Sequence, residues 1–140
     1  MTYRTSSAEE TIELGRRIGR ALTAPRLVLL IGDLGAGKTT LTKGIIEGLG
    51  AGAQEEVTSP TFALMHEFGE APKTYHLDLY RLDRLPELET LGLDDLWDEE
   101  SIVLVEWGEK FADQLPPRRM EIRLSRLDED SREIVVNETD

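Results

Sequence analysis

Cysteine is missing from this 140-residue chain altogether, which excludes a disulfide scaffold and every thiolate site and is compatible with a reducing cytoplasm. No stretch approaches the ~20 apolar residues of a membrane-spanning helix. The first residues, MTYRTSSAEETIELG, carry acidic side chains early and lack the apolar core of a secretion signal. These absences predict a soluble, cytoplasmic protein with no membrane partner. Cations are also scarce: Lys+Arg number 16 against 28 Asp+Glu, a net charge of −12 and a pI near 4.6. A surface this acidic repels a phosphate backbone, so nucleic acid would have to be held by another protein. Solubility alone accounts for the acidity equally well. There is no internal repeat and no low-complexity segment, and the length suits a single domain over 1–140 with a core that needs no staple.

What the chain does contain is the run Leu27–Leu41, LVLLIGDLGAGKTTL. A continuous apolar stretch, Leu27–Ile31, reads as a buried parallel strand, and Leu41, Ile45, Ile46 and Leu49 recur at helical spacing behind it. Between them lies Gly32-Asp33-Leu34-Gly35-Ala36-Gly37-Lys38-Thr39, with Thr40 following, the spacing of a phosphate-binding loop. In such a loop successive backbone N–H groups line a concavity that fits a phosphate, and the positive end of the next helix faces the anion. Lys38 is placed to reach the β- and γ-phosphates and the Thr39 hydroxyl to sit on Mg²⁺. The expected ligand is a nucleoside triphosphate.

Around this unit, Ser7-Ala-Glu-Glu10 has capping-box spacing, and Ile12, Ile18 and Leu22 stripe a first helix that Pro25 ends. Gly48, Gly50 and Gly52 are expected to break the second helix into a loop running through VTSPTF to Pro60 and beyond. Phe62, Leu64, His66 and Phe68, then Tyr75, Leu77 and Leu79, alternate at period two about Gly69–Pro72 and predict an antiparallel hairpin. Arg81–Asp98 predicts two short helical turns, Ile102–Val105 a second buried strand, and Gly108–Leu115 a helix stopped by Pro116-Pro117. Met120, Ile122, Leu124, Ile134 and Val136 predict a closing hairpin about Asp128–Ser131. The fold class is α/β: a mixed sheet flanked by helices, with the alternating hairpins at its edges.

A phosphate loop needs a carboxylate at the end of a neighbouring strand to orient metal or attacking water. Asp78, near the end of the second hairpin strand, and Glu106, directly after the buried strand, both qualify, with Glu106 better placed beyond a parallel strand end. His76 faces either the sheet surface, a partner or the chemistry. Thr58, Ser59 and Thr61 either sense the γ-phosphate or cap a turn beside Pro60.

Taken together and in order, GDLGAGKTT, VTSPTF, HLDLYR, LGLDDLW and VEWGEKFADQLP resemble the bacterial TsaE family, formerly YjeE, over roughly Leu27 to Pro117. The first helix and closing hairpin agree with that family in pattern only. The resemblance implies a P-loop NTPase-like fold and an ATPase of tRNA threonylcarbamoyladenosine biosynthesis, binding ATP or ADP with Mg²⁺. It implies weak hydrolysis alone, stimulation by the partners TsaD and TsaB, and hydrolysis that resets their complex between turnovers, with tRNA met only through the partners. By the same likeness Lys38 and Thr39 hold phosphate and metal, Asp78 joins the metal shell, Glu106 assists hydrolysis at the metal, Thr61 belongs to a switch-like segment, and Trp107 lines the site. His76, Tyr80 and Arg81 are motif residues to which no role attaches, and no adenine contact transfers.

Two other functions share the loop. A small-molecule kinase would need an arginine-bearing lid and an acceptor pocket, for which 140 residues leave little room. A nucleotide-dependent scaffold would bind ATP and partners with hydrolysis incidental. A GTPase is disfavoured: there is no D-x-x-G after a strand, and Asn137-Glu-Thr-Asp140 does not match N-K-x-D.

Overall fold

The computed structural model describes residues 1–33, 35–53, 57, 65–69, 73–80, 82, 84, 86 and 100–139. Leu34, Thr58, Ser59, Thr61, Phe62, Leu64 and Arg81, and most of the stretch expected to form helical turns over 81–98, lie outside the described residues.

The chain runs β1 (Thr2–Thr5), α1 (Ala8–Ala21), β2 (Arg26–Ile31), α2 (Lys38–Gly48), β3 (Met65–Phe68), β4 (Lys73–Asp78), β5 (Ser101–Glu106), a 3₁₀ segment (Gly108–Gln114), β6 (Arg119–Arg126) and β7 (Arg132–Thr139). The strands form a seven-stranded sheet in the order β1-β7-β6-β2-β5-β4-β3. Its centre, β6-β2-β5-β4, is parallel, and β3 against β4 and β1-β7-β6 are antiparallel. This is the mixed α/β sheet, flanked by helices and carrying two hairpins, that the sequence predicts.

The hairpins do not both sit at the edges, however. β4 is hydrogen-bonded between β3 and β5, and β6 between β2 and β7, so each hairpin contributes an interior strand. Every residue of β4 except Lys73 is buried. Its alternation therefore separates two buried faces, one apolar and one polar, rather than core from solvent. The edge beyond β7 is covered by β1, four residues paired from Thr2 with Val135 to Thr5 with Arg132. TYRT has no apolar alternation to announce a strand.

One face of the sheet, with Val28, Leu30, Ile102, Leu104 and Ile122, packs on Leu14 of α1 and Leu41, Ile45 and Ile46 of α2. The other, with Leu29, Leu77, Val103 and Val105, packs on Leu79, Leu82 and the 3₁₀ residues Phe111 and Leu115. The expected helix over Gly108–Leu115 is thus a kinked 3₁₀ segment, with Phe111 at φ −122°. Its few residues, held between a left-handed Trp107 and Pro116, leave no length for regular α-helix.

α1 starts as its capping box dictates: the Ser7 hydroxyl accepts the Glu10 N–H at 3.1 Å, and the Glu10 carboxylate accepts the Ser6 N–H at 2.9 Å. It packs on α2 at glycine-to-backbone distance. A Cβ placed on Gly44 would lie 2.0 Å from the Ile12 carbonyl oxygen, and one on Gly48 2.2 Å from that of Arg16. Gly48 ends α2, as expected, inside the packed interface, and the left-handed turn falls at Gly50, φ +72°. An Arg16–Glu47 ion pair ties the same two helices. No helix among the described residues is long and apolar enough to cross a membrane.

Candidate functional site

β2 ends at Ile31 and the chain turns through Gly32–Gly37 into α2, with Gly35 at φ +81° and Gly37, the N-cap, at φ +102°. Positive φ at both positions is what turns the strand back into a helix start within so few residues. The Ala36 N–H is held by the Asp33 carbonyl at 3.0 Å. The first amides of α2 have no carbonyl of their own helix to bond and carry the positive end of its dipole, so the concavity suits an anion. Lys38 is only 5% exposed: its Nζ donates to the Gly32 carbonyl at 2.6 Å and lies 3.3 Å from the centre of the Trp107 ring. Burial holds this ammonium below the usual lysine range, while Glu106, Glu109, Asp78 and Asp33 pull it back up.

Asp78 and Glu106 are the last residues of β4 and β5 and pair directly in register. Both therefore stand at the carboxyl end of the parallel strands, beside the loop that leaves the same end of β2. Glu106 is 3% exposed. Its carboxylate accepts from His76 Nε2 at 2.6 Å, and its two oxygens lie 3.2 and 3.3 Å from the Thr39 hydroxyl. Asp78, also buried, accepts the Tyr80 N–H at 2.9 Å. Among the described residues no cluster of three or more His, Cys, Asp and Glu forms a metal cage. Thr39, Asp78 and Glu106 instead offer a hydroxyl and carboxylates, a hard oxygen set of the kind Mg²⁺ takes when phosphates and waters complete its shell.

Trp107 carries the next element of the site. It adopts the left-handed conformation, φ 63° and ψ 23°, uncommon for a bulky residue, and so turns its ring over Lys38 immediately after Glu106. Tyr80 packs on it at 5.0 Å between ring centres. Lys110 donates to the Tyr80 and Leu82 carbonyls at 2.6 and 3.3 Å and ties the segment after β4 to the 3₁₀ turn. Lys38, Thr39, Asp78, Glu106, Tyr80 and Trp107 line one cleft of about 400 Å³, which Gly35, Gly37, Thr40 and Arg132 complete.

Of the residues singled out by sequence, the structure gathers all the described ones at this end of the sheet, and Leu34 and Thr61 lie outside the described residues. His76 faces neither solvent nor a partner but Glu106. Arg132 is the residue that pattern reading passed over. At the start of β7 it donates to the Gly35 carbonyl at 3.2 Å and borders a second, smaller cleft with Thr11, Gly37, Thr40, Glu129 and Asp130. A single arginine after a hairpin turn has no periodicity, and only the sheet order brings it over the loop.

The family model described as threonylcarbamoyl adenosine biosynthesis protein TsaE matches residues 5–134. The chain is 39% identical over 135 residues to the tRNA threonylcarbamoyladenosine biosynthesis protein TsaE of Bacillus subtilis, covering 96% of this chain and 83% of that one. It is 46% identical over 118 residues to the protein of the same name from Streptomyces coelicolor, covering 81% and 78%. The crystal structure of Bacillus subtilis YdiB superposes with a TM-score of 0.81 at 34% identity, covering 100% of this chain and 86% of that one.

Proposed function

The chain belongs to the TsaE family, and on that premise we propose that it is a Mg²⁺-dependent ATPase serving tRNA threonylcarbamoyladenosine biosynthesis. In this reading it binds the TsaB–TsaD complex and hydrolyses ATP to reset that complex between turnovers. The observation that carries the reading is the junction of the Gly32–Thr39 loop with the buried Glu106 carboxylate through the Thr39 hydroxyl.

The loop amides and the start of α2 cradle the phosphates, and Lys38 leaves the Gly32 carbonyl to reach the β- and γ-oxygens. Thr39, Asp78 and Glu106 would hold the metal, which would neutralise charge developing on the transferred phosphoryl group. The Glu106 carboxylate orients the attacking water at the end of β5. Trp107 and Tyr80 wall the cleft on the side of Lys38 and limit the water that reaches it. The acidic surface fits a subunit that leaves tRNA to its partners and works in the cytoplasm.

Phosphate release from ATP, measured with and without TsaB and TsaD, tests the reading, together with gel-shift titration of tRNA against the chain alone. Slow release that the partner pair accelerates, with no tRNA shift at physiological salt, is expected. Acceleration by a small acceptor instead would identify a kinase, and a rate indifferent to the partners a scaffold.

A further inference from the structure

The polar face of β4 has two members that the proposed chemistry does not use, and one of them, His76, touches Glu106. Thr74, His76 and Asp78 alternate with Tyr75 and Leu77, and the register sets His76 beside Leu104 and Asp78 beside Glu106. His76 is 0% exposed, and its Nδ1 has no hydrogen-bond partner among the described residues. An unsatisfied buried polar atom costs about 1–3 kcal/mol, so an apolar side chain would serve the core better at this position. The one polar bond the ring makes among the described residues is Nε2 to Glu106 Oε2 at 2.6 Å. A carboxylate oxygen accepts, so the tautomer with its proton on Nε2 donates this bond.

We propose that His76 is a positioning residue that fixes the plane of the Glu106 carboxylate so that both of its oxygens face the Thr39 hydroxyl. The inference rests on the ATPase reading for its consequence and on the hydrogen bond for its substance. Glu106 reaches the site from a strand end, and its terminal torsion is soft, with broad wells rather than sharp rotamers. A donor on one side removes that freedom. Without it the carboxylate is free to turn towards the Lys38 ammonium, on which it acts, and the water-orienting geometry is lost while the phosphate cradle stays intact. Partners of this kind that orient a ligating carboxylate typically contribute 10–100-fold to activity or metal affinity.

His76→Leu removes the donor at similar volume, and His76→Gln keeps an N–H near the place of Nε2. The expected result is a fall of about 10–100-fold in kcat for ATP hydrolysis in His76→Leu, with ATP affinity by calorimetry within about threefold of wild type and no loss of melting temperature. His76→Gln recovers most of the kcat. In ¹⁵N-histidine NMR of the wild type, the His76 Nε2 proton is expected as a slowly exchanging signal that Glu106→Ala abolishes. Unchanged kcat in His76→Leu overturns the proposal, as does an equal loss of kcat, affinity and stability in both variants, which marks a merely structural histidine. If the wild type hydrolyses no ATP even with TsaB and TsaD, the ATPase reading fails by itself. The NMR signal then decides His76: its absence, or its persistence in Glu106→Ala, refutes the positioning bond.

Discussion

Lys38→Ala isolates the charge that the loop brings to its ligand, and its effect can be sized from what Lys38 relinquishes. The ammonium donates to the Gly32 carbonyl at 2.6 Å and lies 3.3 Å over the Trp107 ring. Leaving these partners costs about 0.5–1.5 kcal/mol for the hydrogen bond and about 0.5–2 kcal/mol for the ring contact. Charge-assisted bonds to two phosphate groups return about 1.5–3 kcal/mol each. Central values leave about 2 kcal/mol, so Lys38→Ala is expected to weaken ATP binding by roughly 30-fold, read by titration calorimetry in the presence of Mg²⁺. The fold is not expected to suffer. Burial lowers the pKa of Lys38 in the folded chain, so the charged form costs stability below the folded pKa. That cost is relieved as pH rises from the folded pKa towards that of free lysine. Lys38→Met is therefore expected to melt no lower than wild type at pH 7, with any advantage shrinking towards alkaline pH. An ATP affinity within threefold of wild type in a folded Lys38→Ala protein refutes the assignment of the loop.

Glu106→Gln is expected to keep ATP bound within a few-fold and to slow hydrolysis by about 10²–10⁴; hydrolysis near the wild-type rate moves the catalytic acid to Asp78, with Asp78→Asn the next variant. Gly44→Ala places a methyl 2.0 Å from the Ile12 carbonyl oxygen and is expected to cost about 1–3 kcal/mol in urea unfolding, net of alanine's helix advantage of about 1 kcal/mol. An unchanged midpoint contradicts the close α1–α2 contact. Adding ATP is expected to change tryptophan emission as Lys38 leaves the Trp107 ring, and Trp107→Phe removes that change; an undiminished response in the variant comes from Trp97 and contradicts the reading.

The phosphate loop, the two buried strands and the strand-end carboxylates are legible because each is a local pattern: a glycine spacing, an apolar run, an acid directly after it. Sheet order is not local. Nothing in Met120, Ile122 and Leu124 distinguishes an edge hairpin from one whose first strand pairs in parallel with β2, and that pairing carries Arg132 to the loop. β1 is too short and too polar to read, since its strand character comes from β7 and not from its own residues. His76 is the instructive case. Period two places it correctly opposite Tyr75 and Leu77, but alternation alone does not show that both faces of β4 are buried. A polar residue on an interior strand then lies in the site by default.

The contacts at the loop also bear on why partners would govern the rate. Lys38 to Gly32 and Lys38 to Trp107 occupy the ammonium, and on the ATPase reading productive binding of a nucleotide exchanges both for contacts with the ligand. Part of the ligand's binding energy is consumed in that exchange, and a state with only some contacts broken binds without reacting. A partner accelerates hydrolysis only in so far as it binds the fully opened arrangement better than the closed one. Tenfold stimulation requires about 1.4 kcal/mol of such preference. On the ATPase reading, Tyr80, 43% exposed yet packed on Trp107, is a described side chain at which an outside surface would exert that preference, through the ring that lies against Lys38.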